Sequence, residues 1–393
     1  MSQTKAQLVS GTTAQDLTVD NINTSSINSG QTSGRKNLII NGAMNVAQRG
    51  TSSTSTGYQT IDRIKASNFG TNEAPTYAQV DVASGTTPYT QGFRKALKIT
   101  NGNQTGGAGA DDKIEFEYKI EAQDIASSGW NYKSSSSFVT LSFWVKSSVS
   151  QNFNAYIITL DGTGQNFPFE TGTLTADTWT KITKTIPGNS NLDFNSDNGE
   201  GLRLVFTQFL GTNQTGSVSL NAWAAFSGST RTPDQTSTWY TTNDATWEIT
   251  GLQLEVGSTA TDFEFRKFGE ELKLCQRYFQ SISRSSAANS VDGTFAAGTC
   301  NTNAGNGGIL QVMVRFQTTM RAAPTMTQSG TFSHHVSGVN VADTSLAFNQ
   351  AYVDGIKCTA SQTTFVSASG SCGELISKYS DTSTATINAD AEI

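Results

Sequence analysis

The chain has 393 residues and a formal net charge of −6, with 26 basic and 32 acidic side chains. This weakly acidic balance argues against nucleic acid as the main partner, because phosphate binding depends on clustered lysines and arginines. Only 15% of the residues are charged, against about 25% in typical soluble proteins. The texture is typical of long β-rich surface proteins, and the 9% of aromatic residues argues against disorder throughout.

Residues 1–36 form a polar segment in which a few apolar side chains are thinly spaced. Such a segment cannot bury a core alone, so it is either a flexible tail or an arm that becomes ordered against a partner. The period-two alternation in DLTVDNINT favours the arm, because alternation suits an added β-strand. The start of the chain lacks the apolar core of a signal peptide, so we expect no export by that route.

From residue 37 to residue 265, apolar and polar residues alternate, or apolar residues run for the length of a strand, between clusters of Gly, Asn, Asp and Ser. The clearest segments are ALKITNG (96–102), KIEFEYKIE (113–121), SSFVTLSFWVKSS (136–148), NFNAYIITLDGTG (152–164), TWTKITKTIPG (178–188) and GLRLVFTQF (201–209). β-branched and aromatic residues dominate them, as in strands. The longest apolar run, 138–145, is far shorter than the ~20 residues of a membrane helix. We predict one β-sandwich domain over 37–265 and no membrane span.

Helical periodicity appears in KFGEELKLCQRYFQ (267–280). Four apolar residues share one helical face: Phe268, Leu272, Cys275 and Phe279. We therefore predict a short connector helix over 266–280. It either packs as a bridge between two domains, which we favour, or bundles with copies of itself in an oligomer.

After residue 281 the pattern returns to β, and we read 281–393 as a second, smaller β domain. Its candidate strands are GGILQVMVRF (307–316), SLAFNQAYVDG (345–355) and TTFVSAS (363–369). The sequence thus predicts an all-β fold in four parts, with an extended N-terminal arm, a large sandwich, a helix and a C-terminal β domain.

Four cysteines, Cys275, Cys300, Cys358 and Cys372, are scattered without any CxxC or Cys/His spacing, which argues against zinc. A bridge between Cys358 and Cys372 would close a hairpin in an oxidising setting. In a chain made in a cytosol such residues more often serve as small buried hydrophobic groups, and we favour that alternative.

Catalytic signatures are weak. The two histidines, His334 and His335, are adjacent, and adjacent residues of a strand point to opposite faces. Glu115 and Glu117 would share one strand face as a carboxylate pair, but Lys113 and Lys119 lie on the same face, so a solvated strand of alternating charge is favoured. We predict no catalytic residues and no enzyme, with cleavage of glycans by carboxylates from distant strands as the alternative.

One loop offers oxygen ligands for calcium. In NLDFNSDNGEG (191–201), Asp193, Asn195 and Asp197 occupy alternating positions. The spacing fails as an EF-hand, because Asn198 and Leu204 stand where that loop needs Gly and Glu. A structural Ca²⁺ in a sandwich loop and an ordinary turn remain the two alternatives, and no other cofactor is expected.

Three aromatic pairs lie in loops rich in Ser, Thr and Gly, where flat rings can stack on sugar faces. These candidates are Trp130 and Tyr132, Trp223 and Phe226, and Trp239 and Tyr240. The alternative is that they pack in the core, as most tryptophans of β-sandwiches do.

Three segments carry a resemblance to a known module. They are RKNLIINGAMNVAQRGTS (35–52), YQTIDRIKAS (58–67) and TWEITGLQLEVGSTATDFEFRKFGEELKLCQRYFQ (246–280). In this order and separation they resemble the start and end of a module found in bacteriophage tail-fibre and other virion structural proteins. The resemblance covers about residues 35–280. Two departures, Ile64 in place of Trp and Asp262 in place of Pro, fall at core or turn positions.

The resemblance implies a jelly roll similar to a carbohydrate-binding module, within a virion fibre that is often a homotrimer and meets the host surface at its distal end. Segment 281–393 looks like a distal tip domain, and residues 1–36 resemble a short arm that anchors to the tail or to an adaptor protein. The protein would be made in the host cytoplasm and carried on the virion, with a host surface glycan as its receptor. The family has no agreed catalytic residues to carry over.

Two other functions compete with a tail fibre. A head fibre or decoration protein of the capsid would also need an anchoring arm and a polar exposed end, so the sequence does not separate it from a tail fibre. A glycan depolymerase is the third and least favoured. If the protein is a homotrimeric tail fibre, three weak sites on one particle would raise avidity without a strong single site.

Overall fold

The computed structural model describes residues 26–27, 30–31, 36–285, 294–302, 308–336, 339–342, 345–361, 372–377 and 384–393. Within these ranges the chain is mainly antiparallel β-structure with little helix, so the predicted all-β fold is confirmed. Most of the predicted arm, 1–36, lies outside the described residues. No helix of the described ranges is long and apolar enough to cross a membrane.

The strands are β1 (Ser26–Ile27), β2 (Gly30–Gln31), β3 (Ser52–Ser53), β4 (Ile64–Phe69), β5 (Thr76–Asp81), β6 (Lys95–Thr100), β7 (Lys113–Glu121), β8 (Phe138–Ser147), β9 (Asn152–Thr159), β10 (Gln165–Thr173), β11 (Thr180–Pro187), β12 (Glu200–Leu210), β13 (Ala224–Ala225), β14 (Thr246–Val256), β15 (Phe279–Ser285), β16 (Thr294–Thr302), β17 (Gly308–Arg315), β18 (Thr325–Ser329), β19 (Phe332–Val336), β20 (Val339–Ala342), β21 (Ser345–Tyr352), β22 (Gly355–Ser361), β23 (Cys372–Ser377) and β24 (Thr384–Asp390). The helices are α1 (Thr87–Thr90), α2 (Ala122–Ala126), α3 (Thr238–Thr241) and α4 (Phe268–Gln276).

Two six-stranded antiparallel sheets form a β-sandwich. Sheet I has the order β13-β10-β9-β12-β7-β4, and sheet II has the order β11-β8-β14-β6-β5-β3. Neighbouring strands in each sheet are often far apart in sequence, so the chain crosses repeatedly between the two layers. Separately, β1 pairs with β2 in a small two-stranded sheet.

Alternation along β7 shows how the sandwich core is built. Ile114, Phe116 and Tyr118 point inward and are buried, because successive side chains of a strand face opposite sides. Phe116 stacks on Phe206 of β12 with 4.9 Å between ring centroids. Trp247 of sheet II lies 5.9 Å and 6.3 Å from these two rings. An aromatic cluster therefore joins the two layers.

The segment that follows residue 36 packs along β14. The Asn37 side-chain oxygen accepts hydrogen bonds from the backbone N–H groups of Ile39 and Leu254, both at 3.0 Å. Gly42 approaches the strand so closely that a Cβ atom would lie 2.0 Å from the carbonyl oxygen of Leu252. Only glycine fits there. The NLIINGAM and GLQLEV segments, which carry part of the resemblance, thus meet in space.

The connector helix is shorter than the predicted 266–280. Helix α4 ends at Gln276, and Phe279 begins strand β15, because the chain there pairs with β24. Cys275 is buried as predicted, beside Ile40 and Val46. Phe268, by contrast, is exposed at the start of the helix rather than on its packed face.

Beyond α4, the chain forms a three-stranded sheet, β15-β24-β18, and a seven-stranded sheet, β20-β19-β23-β16-β17-β22-β21. Leu310, Val312 and Val314 share the buried face of β17, which lies within the predicted strand 307–316. The predicted strand TTFVSAS (363–369) lies outside the described residues.

Ion pairs tie the last residues of β24 and those that follow it to the sandwich. Glu392, which follows β24, contacts the guanidinium groups of Arg63 and Arg49, and Asp390 lies 3.0 Å from Arg49. Arg63 is fully buried, with its guanidinium carbon 3.4 Å from the ring centre of Tyr278. These contacts fix the three-stranded sheet against the sandwich.

Cys275 and Cys358 are free, buried thiols. Cys358 lies on β22, separated from β23, the strand of Cys372, by β17 and β16, so the bridge does not form. Burial raises the pKa of the Cys358 thiol to about 12, which keeps it protonated and inert. Cys275 and Cys358 thus serve as small buried hydrophobic groups, the alternative favoured from the sequence.

Candidate glycan-binding site

Trp239 and Tyr240 are core residues, which corrects their assignment as glycan-binding candidates. Both are fully buried. Trp239 packs edge-on against Phe153 at 6.5 Å, and Tyr240 stacks on Phe209 at 4.3 Å. The Tyr240 hydroxyl donates to Asp112. Their polar loop folds into α3 and covers the end of the sandwich, so neither ring offers a face to a sugar.

Trp130 is also buried, so it too is excluded as a stacking residue. Its indole N–H donates to the carbonyl of Ser137 at 3.2 Å, within its own loop. Tyr132 is half-buried and meets Phe194 edge-on at 4.8 Å. The pair therefore anchors its loop, with Phe194, to the main core of the sandwich.

Phe226 is half-buried and packs on the outer face of sheet I, against Tyr156, Ile158 and Val205. It belongs to the cover segment, residues 211–237, which crosses this face. Asn166 Nδ2 donates to the carbonyl of Arg231 at 2.8 Å, which helps to hold the cover segment down. Phe226 therefore packs the cover segment against the apolar outer face of sheet I.

Trp223, one of the six aromatic candidates, lines a cleft of the described structure. Its half-buried ring lies 5.2 Å from that of Phe167, and its indole N–H donates to the carbonyl of Pro187 at 2.7 Å. The cleft has a volume of about 430 Å³. It is lined by Thr163, Gln165, Ser190, Asn191, Asp193, Trp223, Ala224 and Ala225.

Three chain segments bring these groups together. Strand β13, which follows Trp223, pairs with β10 at Gln165 and so ties the tryptophan to the edge of sheet I. The turn before β10 approaches the third segment at Gly162, whose φ is +63° and where a Cβ atom would lie 3.1 Å from the Asp193 side chain. The aromatic ring is thus held opposite amide, hydroxyl and carboxylate groups.

Asp193 is the charged group of this lining. It is half-exposed and forms an ion pair with Lys133 at 2.6 Å. The hydrogen bond that Lys133 donates to this carboxylate raises the pKa of the Lys133 ammonium. The pair leaves the cleft close to electrically neutral, which suits a polyhydroxylated ligand.

Each calcium candidate is engaged with another protein group, which favours the ordinary turn. The Asn195 side chain donates to Asp161 at 2.9 Å, while Asp197 accepts from the backbone N–H of Gly199 at 2.9 Å, and Asp193 is engaged with Lys133. No group of three His, Cys, Asp or Glu residues that could hold a metal ion occurs in the described ranges. The alternating acidic and amide groups stabilise their own loop.

Glu115 and Glu117 share the outer face of β7, but this face is not solvated as predicted. Both carboxylates are buried. Glu115 pairs with Lys113 at 2.6 Å, and Glu117 lies 3.5 Å from both Lys65 and Arg203. Lys65 and Arg203 belong to the neighbouring strands β4 and β12. Alternation within β7 does not show which strands lie beside it. Carboxylates neutralised in this way are poorly placed as an acid and base pair.

No family model matches the chain, and no curated protein matches it. Several solved structures resemble part of it. The enzymatically active domain of tailspike protein 4 of bacteriophage CBA120 is 9% identical, with a TM-score of 0.28, over 56% of this chain and 21% of that chain.

A putative sugar-binding protein from Bacteroides thetaiotaomicron is 13% identical, with a TM-score of 0.31, over 56% of this chain and 100% of that chain. The N-terminal cellulose-binding domain of a Cellulomonas fimi β-1,4-glucanase is 11% identical, with a TM-score of 0.27, over 55% of this chain and 100% of that chain. TM-scores this far below 0.5 do not assign a shared fold.

Proposed function

We propose that the protein is a bacteriophage tail-fibre protein that attaches to a host surface glycan through the cleft at Trp223. The observation that carries this proposal is the placement of the half-buried Trp223 ring in the lining of a cleft with Gln165, Asn191 and Asp193. Sugar rings present apolar C–H faces that stack on aromatic rings, and hydroxyls that pair with amides and carboxylates. The virion assignment rests on the resemblance of residues 35–280.

Binding without cleavage is part of the proposal. Glycoside hydrolysis uses two carboxyl groups about 5–9.5 Å apart. Among the described residues that line the cleft, Asp193 supplies the carboxylate, and it is paired with Lys133. Release of reducing sugar from a bound polysaccharide would contradict this part of the proposal.

The binding proposal is tested on an array of bacterial surface polysaccharides with the full chain and three variants. We expect the wild type to bind at least one polysaccharide, and Trp223→Ala to weaken binding by about tenfold or more, as for a stacking residue at the centre of a site. Trp223→Phe, which keeps an aromatic face, should bind with intermediate affinity.

The matched control is Tyr352→Ala, which removes an exposed aromatic ring of the C-terminal β region far along the chain from the cleft. We expect this variant to bind like the wild type. Equal binding by wild type and Trp223→Ala, or loss of binding in Tyr352→Ala alone, would overturn the assignment to the Trp223 cleft.

The position on the virion needs a separate experiment. Gold-labelled antibody against the chain, viewed by electron microscopy of intact particles, should mark the tail. Labelling confined to the capsid would replace the tail-fibre proposal with the head-fibre alternative.

A further inference from the structure

One face of the three-stranded sheet β15-β24-β18 is covered with small hydroxyl and amide side chains. We call it the hydroxyl face; its residues are Ser281, Ser283, Thr327, Ser329, Thr386 and Asn388. The strand registers align them in two rows, Ser281–Asn388–Thr327 and Ser283–Thr386–Ser329. Neighbours within a row are therefore about 4.8 Å apart.

The opposite face of this sheet holds its apolar residues. Ile282, Ala385, Ile387 and Ala389 are buried there against the C-terminal core and the Met320 cluster. Both rows of the hydroxyl face are uncharged, and the neighbouring row of the same sheet face carries Asp390 between Phe279 and Thr325. The face thus offers hydroxyl and amide groups beside one carboxylate.

The hydroxyl face forms one wall of a cleft of about 440 Å³, a volume in the range of about 300–1,000 Å³ typical of small-ligand sites. The facing wall comes from the sandwich and consists of Gln48, Arg49, Tyr58 and Gln59. Two separate parts of the chain thus build the cleft together. The Tyr58 ring is half-buried there and supplies an aromatic surface.

The charges at the cleft cancel. Arg49 packs over the ring of Phe279, with its guanidinium carbon 3.6 Å from the ring centre, and bonds to Asp390 and Glu392. Its charge is therefore already paired. A phosphate or carboxylate ligand would have to displace these partners, whereas a neutral ligand would not.

We propose that this cleft is a second ligand site, which binds a neutral saccharide unit between the hydroxyl face and Tyr58. Saccharide hydroxyls both donate and accept hydrogen bonds, as do the serine and threonine hydroxyls that face them. Repeated rows of such groups suit a ring that carries several hydroxyls on one side. The site uses none of the residues of the Trp223 cleft, so it does not rest on the proposed function.

The test measures saturation-transfer NMR on the full chain with the methyl glycosides of glucose, galactose, mannose, rhamnose, N-acetylglucosamine and N-acetylgalactosamine. The double variant Thr327→Val and Thr386→Val removes two cleft hydroxyls while it keeps the β-branched shape that strands favour. We expect at least one glycoside to bind the wild type, and the double variant to weaken that binding by about tenfold, as for lost hydrogen bonds.

Two further variants locate the effect. Thr384→Val alters the same strand face outside the cleft and should leave this binding unchanged. Trp223→Ala removes any contribution of the other site, so the binding that it retains is that of the cleft beside the hydroxyl face. Binding lost only in Trp223→Ala would overturn the second site and leave the proposed function standing.

The remaining outcomes are equally decisive. If no glycoside of the panel binds the wild type, the saccharide site is overturned, whatever the polysaccharide array shows for Trp223. If the double variant binds glycosides normally, the proposal is wrong. A changed solution mass of that variant would then identify the hydroxyl face as a contact between copies of the chain.

Discussion

Arg63 and Glu392 form a buried ion pair between residues far apart in the chain. The sandwich supplies the cation, and the end of β24 supplies the carboxylate. Removal of one partner from a buried pair leaves the other charge without compensation, which costs about 3–5 kcal/mol. This single contact therefore couples the C-terminal strands to the stability of the sandwich.

Glu392→Gln should lower the free energy of unfolding by about 3–5 kcal/mol in urea titrations at neutral pH, because Arg63 keeps its charge in a buried site. The control is Asp354→Asn, which breaks an exposed ion pair with Arg315. Exposed pairs contribute about 0–1 kcal/mol. Equal losses in the two variants would contradict the stabilising role of the Arg63–Glu392 pair.

Asp62 introduces a pH dependence of the opposite sign to that of most carboxylates. Burial raises its pKa to about 6, although Gln48 donates two hydrogen bonds to it. In the unfolded chain the pKa is about 3.9. Between about pH 4 and pH 6 the unfolded chain has lost this proton while the folded chain still holds it, so stability falls as the pH rises.

Asp62 should lower the free energy of unfolding by on the order of 3 kcal/mol, and this loss should be complete above about pH 6. The measurement is the free energy of unfolding of wild type and Asp62→Asn from pH 4 to pH 7.5. We expect the difference between the two proteins to shift in favour of the variant as the pH rises. A difference that does not change with pH would refute the assignment.

At the scale of elements, the strand β14 contains a bulge at Gly251. The register with β8 shifts between Thr250 and Gln253, and Gly251 has a φ of +66°. A Cβ atom there would lie 2.6 Å from the ring of Phe93. The TGLQLEV segment thus needs glycine for both its backbone conformation and its packing.

Gly251→Ala should lower the thermal midpoint and reduce stability by about 2–4 kcal/mol, through backbone strain and overpacking. Gly269→Ala in α4 provides the matched control, because no atom outside its own helix backbone and chain neighbours lies within 4 Å of the added Cβ. That variant should be more stable than wild type by about 0.5–1 kcal/mol. Similar effects of the two substitutions would contradict the role of Gly251.

Strand positions were the most predictable part of the fold. KIEFEYKIE is the whole of β7, because period-two alternation reports directly on a two-layer sandwich. The end of α4 was less predictable, since Phe279 continues the apolar face but pairs with β24 instead. Local periodicity carries no information about a pairing partner more than 100 residues away.

The candidate site was predictable only in part. Trp223 was identified from its polar loop, but the same criterion also selected Trp130 and Trp239, which are buried. Loop composition does not reveal whether a loop folds back over the sandwich. Gln165 and Asn191 were not identified, because β-strand crossovers bring them to Trp223, and the amide residues alone give no signal.

At the scale of the whole molecule, the edges of the sandwich limit how copies can associate. The edge strand β11 carries Lys181, Lys184 and Pro187, residue types that discourage pairing with another strand. We therefore expect copies to associate through other surfaces than this edge.

The fibre proposal predicts a homotrimer. Light scattering of the purified chain should give a mass of about three times the 41.9 kDa of one chain. The trimer would present three Trp223 clefts, and avidity would compensate for weak single sites. A mass near that of one chain at micromolar concentration would contradict the trimer.

The most direct measurement is a crystal structure of the chain with the oligosaccharide that binds best on the polysaccharide array. We expect a sugar ring stacked on Trp223, with its hydroxyls hydrogen-bonded to Gln165, Asn191 or Asp193. A ring bound on any other surface, with the Trp223 cleft free of ligand, would contradict the assignment of this cleft as the glycan site.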